Sequence, residues 1–238
     1  MLNQLRKLRY KLISNGKLKK YIAYALGEII LIFIGITLAI AFENFRENQK
    51  ARTIELLLLK EMLNDEERNV YDLKQNLVDY NNAVIGCNYI LDKIENKKPN
   101  DDSLGIYANN IRNTPVFQIS YSAYNTMNSI GWQIISNDSL RKNIIFLYDY
   151  YYDALEELAH NRDMPITNNK FMPIYNQYFD VGEKKALRYD SLIENTNFEN
   201  IIREVKFIKE DVIGFIERRL KYSENLQELI KTEIVKLE

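Results

Sequence analysis

The chain has 238 residues, with 32 bases against 33 acids, one His, one Cys and 17 Tyr. A single His (His160) and a single Cys (Cys87) give neither a metal-ligand set nor a Cys–His nucleophile pair, and no Glu-x-x-His pair or glycine-rich phosphate loop accompanies them. These residues therefore point to no enzyme, no cofactor and no metal.

Residues 1–20 hold seven bases (Arg6, Lys7, Arg9, Lys11, Lys17, Lys19, Lys20) and no acid. Leu2, Leu5, Leu8 and Leu12 share one face among them, as in a short helix lying on anionic lipid. The plainer alternative is an orientation signal and nothing more. Ser14-Asn15-Gly16 then predicts a turn. Without these bases the count is 25 against 33, a net −8, which argues against nucleic acid as a partner.

Residues 21–42, YIAYALGEIILIFIGITLAIAF, form one apolar stretch interrupted by Glu28. As a helix it extends roughly 33 Å, enough for a hydrocarbon core of about 30 Å. Between Glu43 and Glu55 three acids balance three bases, so the basic flank places the N-terminus in the cytoplasm and the remainder outside it. Ala39-Ile40-Ala41 matches a small-x-small cleavage pattern. A secretory signal ending there would be unusually long, which favours an uncleaved anchor. Ala23, Gly27, Gly35 and Ala39 recur on one face with Glu28 beside it, so the span is expected to self-associate, with membrane lipid as its other neighbour.

Two patches carry a resemblance. Tyr21 to Leu31 followed by Ile34-Gly35-Ile36, Asn44 and Glu47 is one, and Tyr121-Ser122-Ala123-Tyr124 through Ser129-Ile130-Gly131 to Ile135-Ser136-Asn137 and Leu140 is the other. Together they resemble an uncharacterised family of single-span bacterial membrane proteins, a domain of unknown function. The likeness covers most of the chain in order but departs at Phe45, where that family tends to carry Trp. It implies topology and membership, and brings no catalytic residues.

Beyond the span the periodicity is helical. Leu56, Leu59, Leu63, Glu66, Val70, Leu73, Leu77, Tyr80, Val84, Cys87, Leu91 and Ile94 alternate spacings of three and four, with Leu57, Leu58 and Met62 widening the stripe. This helix is expected to stop at 96–102, where Pro99 and its polar neighbours break it. Two short helices are expected around Thr114-Pro115, the second closed by Gly131. Asn137 and Asp138 open a third long helix with Leu140, Ile144, Leu147, Tyr151, Leu155 and Leu158 on its stripe. Pro165, Pro173 and Gly182 should cut the next part into pieces, and Thr196 should cap a helix reaching nearly to Glu238.

The fold class is all-α: one N-terminal transmembrane helix, then an extracytoplasmic antiparallel helical bundle with two long helices in residues 43–238. Cys87 on the apolar stripe reads as a buried thiol, with an intermolecular disulfide as the alternative. Tyr121, Tyr124, Trp132, Tyr148, Tyr151 and Tyr152 cluster in the middle of the chain. They form either helix-packing core or a pocket or partner face. The expected function is that of a membrane-anchored structural or interaction protein of the bacterial envelope with an unidentified envelope partner. A sensory or ligand-binding module using the Tyr-rich middle is the second reading.

Overall fold

The computed structural model describes Lys7, Tyr10 and residues 18–238. The apolar face at Leu2 to Leu12 and the turn at 14–16 lie outside the described residues. Helix α1, Leu18–Glu95, takes in both the apolar stretch and the first heptad stripe. The chain divides into two compact units, one ending at Ile54 and the other Glu55–Glu238.

In the first unit nearly every described side chain is exposed, including Ile22, Phe33, Leu38 and Phe42. One helix here is apolar and long enough to cross a membrane, and none of its most apolar window is buried within the protein. A Cβ added at Gly27 or Gly35 would meet nothing within 4 Å.

Besides its helices the second unit holds one short antiparallel hairpin and a few connecting segments, so the described residues form an all-α fold. After α1 come α2 (Leu104–Arg112) and α3 (Ser122–Ile130), joined by the extended segment 113–121. Gly131, at φ 110°, ends α3 in a backbone region that favours glycine. Helix α4 then runs through 138–178, with the Asn137 side chain accepting from Leu140 N as its cap. The antiparallel hairpin pairs Phe179–Asp180 with Lys185–Ala186, and α5 (Tyr189–Ile193) leads to α6 (Thr196–Leu237). The cap of α6 is Asn195 rather than Thr196, because the Asn195 carboxamide reaches the backbone N–H of Phe198.

The expected break at the prolines does not occur. Pro165 and Pro173 each follow a π-helical turn, Ala159–Asp163 and Thr167–Phe171, and α4 continues through both. A proline ring collides with the carbonyl four residues before it. Here those carbonyls belong to Asn161 and Asn169, inside the widened turns, where the backbone N–H groups of Met164 and Met172 reach back five residues to Ala159 and Thr167. Loosening one turn lets the helix pass its proline.

Helices α1 and α6 are antiparallel in one register. Lys60 pairs with Glu238 at 2.7 Å, Lys74 with Glu224 at 2.7 Å, and Glu95 with Arg203 at 2.6 Å. Fourteen residues forward along α1 match fourteen back along α6, and the next twenty-one match again. These exposed pairs each contribute about 0–1 kcal/mol, so they report the register more than they create it. The apolar stripes create it: Leu59, Leu73, Tyr80 and Cys87 from α1 and Ile202, Val205, Val212, Ile216 and Ile230 from α6 are all fully buried.

A second heptad row of α1 is buried as well, at Glu55, Met62, Asn69, Asn76, Ala83 and Ile90. That row carries the 113–137 layer. Leu57, expected to widen the stripe, is 62% exposed, because the widening runs along this row instead. Further along, a Cβ on Gly86 would approach the Tyr107 carbonyl to 2.5 Å, so only glycine lets α2 lie this close to α1.

Candidate functional site

Polar groups enter the core where helices α1, α4 and α6 meet, in two separate layers. In the first, Glu66 of α1 is fully buried, and both its oxygens accept from neutral donors. Asn69 Nδ2 donates to Oε1 at 3.2 Å and the Tyr152 hydroxyl to Oε2 at 3.0 Å, with the Ser223 hydroxyl donating to the same oxygen. Burial raises the Glu66 carboxyl above its usual range, and the hydrogen bonds from Ser223, Tyr148, Tyr152 and Asn69 oppose that rise. The Tyr148 and Tyr152 phenols are pushed far upward, by burial first and by the neighbouring Glu66 charge second. They stay neutral and serve as donors.

The layer is closed by the extended segment. Ser120 N donates to Asn69 Oδ1 at 2.7 Å, and the Ser120 carbonyl accepts from Tyr148 at 3.2 Å. Neighbouring Asp65 takes the Ser120 hydroxyl at 2.7 Å and Ala123 N at 2.8 Å, so it serves the N-terminus of α3 from another helix. Asp72 accepts from Gln118 N at 3.0 Å and Glu55 from Ser136 N at 2.7 Å. Acids and an amide on one face of α1 thus satisfy backbone donors of a segment that makes no ladder of its own.

In the second layer Asp163 and Lys209, both fully buried, pair at 3.0 Å. The Tyr80 hydroxyl donates to Asp163 at 2.9 Å, and the Lys209 ammonium also reaches the Asn113 carbonyl at 3.1 Å and lies 5.0 Å from the Tyr80 ring centroid. Both layers touch π-helical turns of α4: Tyr148 and Tyr152 sit in Leu147–Tyr152, and Asp163 ends Ala159–Asp163.

Five of the six aromatic residues expected to act together do meet. Tyr124 stacks on Tyr148 at 4.6 Å between centroids, Trp132 lies 5.1 Å from Tyr124, and Tyr121 and Tyr152 meet Tyr148 edge-on. The rings fill the space between one another. Tyr151 instead turns to Phe146 and Tyr222, each at 5.0 Å, because Tyr152 takes the core position on the widened turn. Under Tyr151 sits the nearly buried Arg219, which donates to the Tyr151 carbonyl at 2.9 Å.

Cys87 is buried and free, and burial raises its thiol to about 12, so it is an inert thiol in the folded bundle. His160 is exposed, and no group of three or more metal-ligating side chains occurs among the described residues. Ala23, Gly27, Glu28, Gly35 and Ala39 are exposed on the first unit.

Two open concavities lie elsewhere, along α1. One, of about 500 Å³, is formed by Asn64, Glu67, Arg68, Tyr71 and Asp72 of α1 together with Gln118 and Ser120 of the extended segment. The other, of about 410 Å³, is formed by Asp79 and Asn82 with the end of α2, at Asn109, Asn110, Arg112 and Asn113. Sequence reading missed Asn69, Asp163, Lys209 and Ser223. Their one signal is position: Asn69 repeats Met62 and Ala83 at multiples of seven, and Lys209 falls between Val205 and Val212 at helical spacing.

No family model, curated protein or solved structure matches this chain.

Proposed function

We propose that the protein is a single-span membrane anchor whose helical bundle stands outside the cytoplasm and works by binding rather than by covalent chemistry. The observation that carries this reading is the exposed apolar surface at 22–42, which the first unit leaves uncovered and which lipid would cover. The seven bases of residues 1–20 support a cytoplasmic N-terminus. Sequence resemblance to single-span bacterial membrane proteins points the same way. An interaction role in the envelope suits a bundle whose serines and carboxylates at the core are sealed from any substrate: Glu66 and Ser223 are both at 0% exposure.

Thiol mapping tests the topology. Cys87 is too buried to react, so Lys7→Cys and Asn225→Cys each introduce one accessible thiol at exposed positions. A membrane-impermeant maleimide should label Asn225→Cys in intact spheroplasts, and Lys7→Cys only after lysis. The reverse pattern, or release of the protein by alkaline carbonate, would overturn the anchor.

Within the membrane the face of Ala23, Gly27, Gly35 and Ala39 is the proposed self-association surface, with Glu28 donating or accepting one hydrogen bond beside it. Interhelical polar contacts in lipid average about 0.6 kcal/mol, so close packing must supply most of the association. Gly35→Leu should weaken dimers in a membrane-association assay more than Glu28→Gln does.

A further inference from the structure

The two concavities along α1 lie in series between that helix and the chain from 109 to 120. From Arg68 to Asp79 the helix advances about 16 Å, so a linear ligand of a few rings would reach from one to the other. In the first, Tyr71 is 68% exposed, and among the described residues its ring stacks on no other aromatic ring. Asn64, Glu67, Arg68 and Gln118 line the same concavity, and among the described residues none of their side chains makes a hydrogen bond. In the second, the side chains of Asp79, Asn82, Asn110 and Asn113 are likewise unpaired, while Arg112 Nη1 donates to Asn109 at 3.4 Å.

The chemistry of this lining is selective. A carboxamide offers two donors and an acceptor with two lone pairs on one plane, which matches adjacent hydroxyl groups better than it matches a charge. Glu67 and Asp72 outweigh Arg68 in the first concavity, and Asp79 balances Arg112 in the second, so a polyanion gains nothing here. No buried apolar wall is present for a lipid chain or a hydrophobic peptide anchor. The lone apolar surface is a tyrosine face, which suits a ring that is apolar on one side and hydroxylated at its edge. From this geometry we infer that the α1 groove binds an uncharged linear oligosaccharide, with one pyranose ring on Tyr71 and the next units along the amides of Asn82 and Asn110.

The natural supply of such a glycan rests on the outward-facing bundle proposed above, but binding itself does not depend on which side the bundle occupies. The test is calorimetric titration of the full chain in amine-oxide micelles, which contain no sugar headgroup, with cello-, chito- and maltohexaose, their disaccharides, and hexagalacturonate. At least one neutral hexaose should saturate. Tyr71→Ala should weaken it by up to about tenfold, the equivalent of losing one aromatic contact, while Tyr71→Phe keeps the affinity. Asn82→Ala and Asn110→Ala should weaken the hexaose and leave the disaccharide unchanged. All three residues are on the surface or half-buried and none holds the fold. Absence of saturable binding by every neutral hexaose, equal binding by Tyr71→Ala, or tighter binding of hexagalacturonate would overturn the inference. A bundle that binds in micelles yet labels as cytoplasmic would sink the topology and leave the groove standing.

Discussion

Glu66 and Asp163 are both sealed in the same bundle, yet their charges are met in opposite ways. Asp163 faces a cation, Lys209, and also accepts from the Tyr80 and Thr167 hydroxyls. Glu66 faces neutral donors, and among the described residues no cation pairs with it. The first arrangement ties two helices by mutual dependence, since neither partner tolerates loss of the other. The second depends on protonation, because burial favours the neutral carboxyl and the donors favour the anion.

The largest effect expected from this contrast comes from Lys209→Met, which strands Asp163 in the core and should cost about 3–5 kcal/mol. Urea denaturation of the full chain in micelles, followed by circular dichroism, measures it. Adding Asp163→Asn to that variant should recover a good part of the loss, and no recovery would mean the pair matters for packing and not for charge.

Tyr152→Phe is expected to cost less, about 1–3 kcal/mol, by removing one donor to a buried acceptor. If Tyr80→Phe proves equally costly at neutral pH, the two layers do not differ in the way described.

Smallest, and most diagnostic, is Glu66→Gln followed across pH. The folded-state carboxyl is raised above its ordinary 4.5, so its stabilising contribution is complete below that value and is lost as pH rises through the folded value. Wild type should therefore lose stability relative to Glu66→Gln as pH climbs from about 4.5 toward neutrality. Denaturation midpoints at several pH values give the difference directly, and parallel curves for the two proteins would remove Glu66 from any titrating role.

Much of the architecture was legible in apolar spacing. The α1 stripe from Leu56 to Ile94 is buried or half-buried at every position, and Asn137 and Gly131 act at the helix ends where their chemistry suggested. Hydrophobicity alone could not reveal the second buried row, since Glu55, Asn69 and Asn76 look like solvated residues until the 113–137 layer covers them. Prolines misled for a related reason: Pro165 and Pro173 break an α-helix locally, but a π-turn is a tertiary accommodation with no residue signature. Of the candidate site, the Tyr cluster was visible as composition, while its donors to Glu66 and the exposed Tyr71 groove depend on which way each helix faces.

The two core layers stand fourteen residues apart on α1, from Glu66 to Tyr80, and fourteen apart on α6, from Ser223 back to Lys209. Two long heptad helices packed on aliphatic stripes alone have a translational degeneracy, since a slide of seven residues, about 10 Å, restores the same interdigitation. Here one such slide would set Glu66 beside Ile216 and Lys209 beside Leu73, and the opposite slide would set them beside Ile230 and Cys87. Either displacement strands charge against hydrocarbon, at several kcal/mol per ion. Matched polar marks on the two helices therefore act as a vernier, leaving a single longitudinal alignment in which both coincide.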